Sequence, residues 1–156
     1  MAETADRLSP IGKGKVVKYY EALAAMADSL NMCKNTLCSM QTLDFDEIAE
    51  IYNSLTGFEM TGKDIMQAGE RITNVERIYN MLCGIRKEDD TLAKRFLEEP
   101  LPEECGPSAG SVIELKPMLD ERGWDVETGV PTRAKLEELG LERFIIRLED
   151  IGLDVK

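Results

Sequence analysis

This sequence of 156 residues contains no histidine. Histidine is the commonest general acid or base near neutral pH. Its absence excludes Ser-His and Cys-His nucleophile pairs and mixed Cys/His zinc sites within these residues. Any chemistry here must depend on carboxylates, thiols, lysine, tyrosine or a cofactor.

Long apolar runs and basic stripes are also lacking. No run approaches the roughly 20 residues that span a bilayer, and the first ten residues have no secretory signal pattern. We therefore expect a cytoplasmic protein that does not associate with a membrane. The 19 Lys and Arg are dispersed among 30 Asp and Glu, for a net charge of -11. Such acidity disfavours nucleic acid as a partner, because phosphate backbones are repelled.

The four cysteines lack the spacing of common metal and redox motifs. They are Cys33, Cys38, Cys83 and Cys105, and no pair forms a CxxC motif. A zinc ribbon or a thioredoxin-like motif is therefore not indicated. An offset of five residues on a continuous helix would place Cys33 and Cys38 on different faces. Their spacing does not support a cluster bound by these four thiols alone.

Helical periodicity is present over almost the whole chain, and no segment alternates as a strand does. We predict one helix from Ser9-Pro10 to about residue 30. Two further helices begin at the capping boxes of Asp44 with Glu47 and of Thr61 with Asp64. The predicted ranges after the first helix are 45–56, 62–86, 90–97, 111–121, 132–139 and 141–149, with a loop at 98–110. The fold class is thus all-α, with about six to eight helices in a single domain over residues 1–156.

The second and third helices each carry an apolar stripe that we expect to face the core. Gly69 interrupts the third helix, which predicts close packing or a bend. Gly57 and Gly140 are suited to the left-handed position after a helix end. The residues expected inward are Ile48, Ile51, Tyr52 and Leu55, followed by Ile65, Met66, Ile72, Val75, Ile78, Tyr79 and Leu82.

The stretch Asp28-Ser29-Leu30-Asn31-Met32-Cys33 lies where the first helix should end. It places a carboxylate and a thiol five residues apart. Asp28 is suited to a hydrogen bond at the helix terminus, and Cys33 to a structural thiol. A role in cofactor binding is the alternative for both.

Three segments resemble one family. They are ADRLSPIGKGKVVKYYEALAAMADSLNMC (5–33), LTGFEMTGKDIMQAGERITNVERIYNMLCGIRKEDDTLAKRFLEEPLP (55–102) and RGWDVETGVPTRAKLEELGLE (122–142). Together, over about residues 5–143, they resemble the C-terminal helical domain of the tungsten-containing aldehyde ferredoxin oxidoreductases. The resemblance implies that the helices form an irregular orthogonal bundle. The order and spacing of GERITNVERIYN, DDTLAKRF and GWD…GVPT are the most specific part of the resemblance.

The resemblance implies a cofactor site at the end of the first helix. Enzymes of this family oxidise aldehydes to carboxylic acids and pass the electrons to ferredoxin. They use a tungstopterin, in which two pterins hold the tungsten, and a [4Fe-4S] cluster. Their motif Asp-x-x-Gly-Leu-Cys contacts a pterin through its Asp and the following backbone, and its Cys ligates the cluster. Asp28 and Cys33 match this motif, whereas Asn31 replaces Gly and Met32 replaces Leu. The implied cofactor-binding residues are Asp28, Asn31, Met32 and Cys33, with Cys33 as the metal ligand and no catalytic residue.

The resemblance also implies partners. The family's other three cluster cysteines and its pterin-binding domain have no counterpart in these 156 residues. We therefore expect function only with the missing N-terminal oxidoreductase domains or subunit, and with ferredoxin through that assembly. By itself the chain is expected to be inactive and to bind no cofactor. The alternatives are a non-catalytic helical module that binds a partner or forms a homodimer, and a stand-alone iron–sulfur electron carrier.

Overall fold

The computed structural model describes residues 12–108 and 121–156, and their regular structure is helical. In these residues extended backbone pairs only at an isolated bridge between Trp124 and Pro131. The predicted all-α fold class is confirmed. No helix in the described ranges is long and apolar enough to cross a membrane. The α-helices of the described part are α1 (Lys13–Ser29), α2 (Phe45–Thr56), α3 (Gly62–Leu82), α4 (Lys94–Glu98), α5 (Arg133–Glu138) and α6 (Ile145–Asp150).

The predicted capping boxes are confirmed. The Asp44 carboxylate accepts hydrogen bonds from the backbone N–H groups of Asp46 and Glu47, and the Glu47 carboxylate accepts one from the Asp44 N–H. Thr61 and Asp64 form the same reciprocal pair at the start of α3. These bonds satisfy N–H groups that the first helical turn leaves without partners, which is why both helices begin where the sequence predicts.

Several other boundaries differ from the prediction. The predicted start at Ser9-Pro10, and residues 111–120 of another predicted helix, lie outside the described residues. Helix α1 begins at Lys13, after Gly12 in a left-handed conformation. Helix α3 ends at Leu82 rather than at residue 86, because Gly84 adopts a φ of 100° and the Ile85 N–H turns back to the carbonyl of Asn80. This arrangement of bonds is the Schellman motif.

Three of the remaining segments contain short 3₁₀ turns. A 3₁₀ turn at Lys87–Asp89 directly precedes the segment predicted as a helix over 90–97, and within that segment helix α4 begins only at Lys94. The predicted loop at 98–110 includes a 3₁₀ turn at Glu103–Ser108. The last predicted helix begins as a 3₁₀ turn at Glu142–Phe144 and continues as α6. Residues 35–43, where the helical pattern breaks, contain a π-helical turn at Asn35–Ser39.

Helix α3 contributes to two separate apolar cores. Its first half packs with α1, the π-helical turn and α2, and its second half packs with α5, α6 and the last residues of the chain. The first core contains Ala22, Leu23, Met26, Ala27, Leu37, Phe45, Ile48, Ala49 and Ile65. The second contains Ile78, Met81, Val130, Leu136, Leu139, Leu141, Ile145, Leu148 and Val155.

Gly69 lies where α1 and α3 pack closely, which is the first of the two predictions, close packing or a bend, made for this glycine. A Cβ atom at residue 69 would lie 2.5 Å from the backbone oxygen of Ala22. Real Cβ atoms do not approach a backbone oxygen so closely. Glycine is therefore needed for the separation that the two helices adopt.

The predicted inward faces are partly wrong. Ile48, Ile65 and Ile78 are buried as expected, but Ile51, Leu55, Val75, Tyr79 and Leu82 are exposed. The apolar arc of each helix is wider than the strip that the described elements cover. Periodicity detects an apolar face but not the extent of its contact. The buried faces are completed instead by Phe45, Ala49, Asn74, Arg77 and Met81.

Candidate functional site

The end of α1 brings the four predicted site residues into one turn. The Asn31 N–H donates to the carbonyl of Asp28, and the Met32 N–H donates to the carbonyl of Ala27 at 2.8 Å. These two bonds form a Schellman motif, which requires a left-handed conformation of the residue after the helix cap. Asn31 is that residue, and its φ is 56°. Asparagine adopts this conformation more readily than most other non-glycine residues. Helix α1 therefore ends in the left-handed turn even though Asn31 replaces the glycine of the Asp-x-x-Gly-Leu-Cys motif.

Met32 and Cys33 face in different directions after this turn. Met32 is half-buried and packs against the first core, whereas Cys33 is exposed. Contacts between a residue at this position and the preceding helix commonly accompany the Schellman motif. The apolar contact of Met32 thus helps to hold the turn that presents the Cys33 thiol to solvent.

The Cys33 thiol lies near hydrogen-bond donors of the following turn. The backbone N–H of Thr36 is the strongest influence, followed by the Thr36 hydroxyl and the backbone N–H of Asn35, and together they lower the pKa of the Cys33 thiol. Such donors favour the thiolate, which is the form that binds metals. Cys33 therefore fits the role of an iron ligand, both in its exposure and in its hydrogen bonds.

Asp28 is engaged in an ion pair on the same exposed surface. Its carboxylate lies 2.8 Å from the Lys34 ammonium, and its side chain is 67% exposed. The hydrogen bond from Lys34 to Asp28 raises the pKa of Lys34. An exposed pair of this kind contributes little to stability. Both groups can therefore exchange partners at low cost.

The backbone around Cys33 is unusual in conformation. Among the described residues, Asn31 and Gln41 are the only non-glycine residues with positive φ. They flank the π-helical turn, in which the Met40 N–H donates to the carbonyl of Asn35 at 2.9 Å. Left-handed non-glycine residues and π-helical turns are both uncommon, and both are enriched at functional sites.

The other cysteines do not join Cys33. Cys38 is half-buried, and burial raises the pKa of its thiol. Cys83 and Cys105 are exposed. In the ranges that the structure describes, no three His, Cys, Asp or Glu side chains are grouped as they would be to hold a metal. Cys33 alone could supply one ligand but not a complete set.

A second feature, a cleft of about 720 Å³, was not predicted from sequence. Trp124 lies in its wall and donates from Nε1 to the side-chain oxygen of Asn74 at 2.9 Å. The guanidinium groups of Arg77 and Arg122 lie 4.9 and 5.3 Å from the indole ring centre. Arg122 also binds the Glu21 carboxylate on α1. In the sequence, the signal for this cleft was the polar residues Asn74 and Arg77 of α3, which the structure shows to be buried. The sequence does not identify their partners.

Arg77 ties α3 to two loops at this cleft. Its Nη1 and Nη2 atoms each donate to Asp90 at 2.6 Å, and its Nε donates to the carbonyl of Gly129. Gly129 has a φ of 67°, and a Cβ there would lie 2.4 Å from Nη2, so a larger residue would be strained and would displace the Arg77 guanidinium. Arg77 and Asp90 satisfy each other's hydrogen-bonding groups, so Arg77 acts here as a structural link between α3 and the two loops.

The Asp125 carboxylate stabilises the turn that follows Trp124. The Asp125 carboxylate accepts hydrogen bonds from the backbone N–H groups of Thr128 and Glu127. These bonds and the Lys156 ammonium lower the pKa of Asp125 to about 2, the Thr128 N–H contributing most. Nothing in this arrangement indicates catalysis.

Comparison with known proteins adds a family match. Residues 1–141 match the family model "Aldehyde ferredoxin oxidoreductase, domains 2 & 3". The chain is 39% identical to the tungsten-containing aldehyde ferredoxin oxidoreductases of Pyrococcus furiosus and Pyrococcus horikoshii. Each match covers 85% of this chain and 22% of the relative. The chain thus spans about a fifth of the length of these curated relatives.

A solved structure has the same fold. It is the "Active site complex BamBC of Benzoyl Coenzyme A reductase in complex with 1,5 Dienoyl-CoA", with a TM-score of 0.73 at 20% sequence identity. The match covers 97% of this chain and 22% of the other chain. At this level of identity the similarity supports the fold alone.

Proposed function

The chain belongs to the aldehyde ferredoxin oxidoreductase family, and from this premise we propose that it is the helical component of a tungsten-dependent oxidoreductase that converts aldehydes to carboxylates. The observation that carries the proposal is the exposed Cys33 thiol at the end of α1, within the matched residues. The remaining parts of the assembly lie outside these 156 residues, whether joined to them or separate. The proposal includes a cytoplasmic location.

Cys33 would be one ligand of a [4Fe-4S] cluster, which when bound passes electrons from the tungstopterin toward ferredoxin. The donors from Thr36 and Asn35 would stabilise the negative charge on the cysteine sulfur, and hydrogen bonds of this kind tune cluster potentials. Asp28 and the backbone at Asn31 and Met32 would lie against a pterin. Asp28 would then exchange its exposed partner Lys34 for the cofactor.

The experiment is anaerobic co-expression of this chain with the part of the Pyrococcus furiosus relative that lies outside the match. Iron and sulfide content, electron paramagnetic resonance and aldehyde-dependent dye reduction would be measured. We expect a cluster with the wild-type chain and its loss or alteration in Cys33→Ser. Cys83→Ser is the matched control, since Cys83 is also an exposed thiol. A purified complex without iron would contradict the proposal.

A non-catalytic module that dimerises is the second candidate, and exposed apolar side chains favour it. Leu55, Phe58 and Tyr79 are 81%, 61% and 66% exposed. Where exposed apolar side chains form one continuous patch, the patch often marks a binding site. Light scattering over a range of concentrations would detect a dimer. A monomer throughout would count against this candidate, and a monomer that binds iron on its own would instead favour the stand-alone electron carrier.

A further inference from the structure

The segment from Asn35 to Gly62, which contains α2, carries charge of one sign only. It has five carboxylates and no Lys or Arg, although the whole chain has 19 of these basic residues. In the described part of the chain, the ion pairs all involve carboxylates outside this segment. No basic side chain of the described residues therefore compensates the negative charge of α2 and the turn after it. The five carboxylates are those of Asp44, Asp46, Glu47, Glu50 and Glu59.

Apolar side chains lie among these carboxylates on the solvent side of α2. Ile51 is 42% exposed and Leu55 is 81% exposed, and a spacing of four residues makes them neighbours on the helix surface. Exposed Glu47 lies four residues before Ile51, and exposed Glu50 lies three residues after Glu47. These spacings place both carboxylates beside the apolar pair. The exposed face of α2 is thus apolar along one side and acidic along the other.

Phe58 extends the apolar side beyond the end of α2. It is 61% exposed, and its ring stacks on that of Tyr52 with the ring centroids 5.9 Å apart. The Asn53 side chain fixes the turn, since it donates to the Met60 carbonyl at 2.8 Å and accepts from the Met60 N–H at 2.9 Å. An aromatic side chain that is already held in position loses little conformational entropy when a partner covers it. We call the following residues the α2 face: Glu47, Glu50, Ile51, Leu55 and Phe58.

We propose that the α2 face is a docking surface for a partner protein that presents a cationic amphipathic helix. Such a helix would lay its apolar residues on the apolar side of this face and its lysines or arginines beside the two carboxylates. Helices bind apolar surfaces in this way through residues spaced three and four apart. Opposite charges across the contact speed association and select the partner. The proposal does not depend on the proposed function, because the α2 face contains none of the residues assigned to a cofactor.

The charge of the α2 face argues against other occupants. A second copy of this chain, related by a two-fold axis, would bring the carboxylates of one α2 face against those of the other. Like charges placed together in an interface are strongly unfavourable. Nucleic acids and anionic lipids would be repelled for the same reason. The exposed apolar side chains of α2 are therefore better matched by a basic partner than by a dimer.

The probe is a synthetic peptide of leucine and lysine whose leucines recur at helical spacing, titrated into the full chain by isothermal titration calorimetry. We expect the wild-type chain to bind it, more weakly as salt increases. Leu55→Asp should weaken binding by about tenfold, because it places a carboxylate where the leucines of the peptide would pack. Ile146→Asp is the matched control, since Ile146 is 68% exposed on α6. It should bind like the wild-type chain.

The two variants distinguish docking from general attraction between opposite charges. Each gains one negative charge, so general attraction would strengthen binding equally in both, and that result would overturn the proposal. Equal binding of a peptide in which leucine and lysine strictly alternate would also overturn it, because such a peptide has no apolar helix face. So would failure of the wild-type chain to bind, or a homodimer that Leu55→Asp dissociates.

A second substitution keeps the test independent of the added charge. Leu55→Ser removes the apolar side chain without adding a carboxylate, and it should weaken binding in the same direction as Leu55→Asp. Far-ultraviolet circular dichroism would establish that the variants are folded. Unchanged binding by a folded Leu55→Ser protein would count against the α2 face. None of these measurements involves iron, so their failure would leave the proposed role of Cys33 unaffected.

Discussion

The two cores that share α3 are stabilised in different ways. The first is formed by long helices, α1 and α2, that pack apolar side chains against the first half of α3. The second is formed by short helices and turns, and charged hydrogen bonds fasten it to α3. Arg71 donates to the carbonyl of Leu139 at 2.7 Å, and Lys135 binds Glu70 at 3.3 Å. Long helices can bury a continuous stripe, whereas short segments need directional bonds to hold their positions.

The largest expected effects come from equal truncations in the two cores. Leu37→Ala and Leu148→Ala each remove a fully buried side chain, and we expect each to lower the free energy of unfolding by about 3 kcal/mol. Because α3 contributes to both cores, each variant should still unfold in one transition. Trp124 fluorescence and circular dichroism in urea would test this. Separate transitions for the two signals in Leu37→Ala would show that the cores unfold independently.

Arg77→Met should be nearly as destabilising, but for an electrostatic reason. It leaves Asp90 and the Gly129 carbonyl without their guanidinium donor, and we expect a loss of about 3 kcal/mol. Urea unfolding measures the loss, with exposed Arg147→Met as the control. Adding Asp90→Asn to Arg77→Met should recover part of it, because no unpaired carboxylate then remains. A double variant that is less stable than Arg77→Met would argue against this explanation.

Gly69→Ala tests the contact between α1 and α3 in the first core. Alanine normally favours a helix interior over glycine, but here its Cβ would meet the Ala22 oxygen. We expect a net loss of about 2 kcal/mol in unfolding experiments. Lys63→Ala, at an exposed position of α3, should be nearly neutral. A Gly69→Ala protein more stable than wild type would mean that the helices separate easily.

The smallest expected effect is the acid response of the turn at Asp125. Its pKa in the folded protein is about 2, below the ordinary value of 3.8. The stabilisation is therefore complete above about pH 4 and is lost as the pH falls toward 2. Asp125→Asn should show a shallower loss of stability over this range, measured by urea unfolding at several pH values. An identical slope in both proteins would contradict the assigned pKa.

Local signals predicted much of the first core. The capping boxes at Asp44 and Thr61 use bonds within four residues of one another, so their sequence identifies the helix starts. The left-handed turn at Asn31 is likewise a local property. The extent of burial was not predictable, and Leu55 and Tyr79 are exposed despite a regular apolar pattern. Which part of an apolar helix face is covered depends on elements distant in sequence.

The second core and the cleft depend instead on contacts between residues that are distant in sequence. Asp90 and Gly129 are 13 and 52 residues from Arg77, and both contact it. No spacing rule connects such residues. In the candidate site, the motif from Asp28 to Cys33 was identified through its resemblance to a family. The structure adds the donors on the Cys33 sulfur, the ion pair of Asp28 and the inward packing of Met32.

The sequence by itself determined the all-α class, the two capped helix starts and the presence of a single cysteine in the matching motif. These depend on periodicity, on bonds between near neighbours and on residue identity. Tertiary structure alone decided that α3 serves two cores, that Arg77 is buried beside Trp124 and that Cys33 faces solvent. Burial and long-range pairing arise only when distant segments pack, because each requires a partner that the local sequence does not specify.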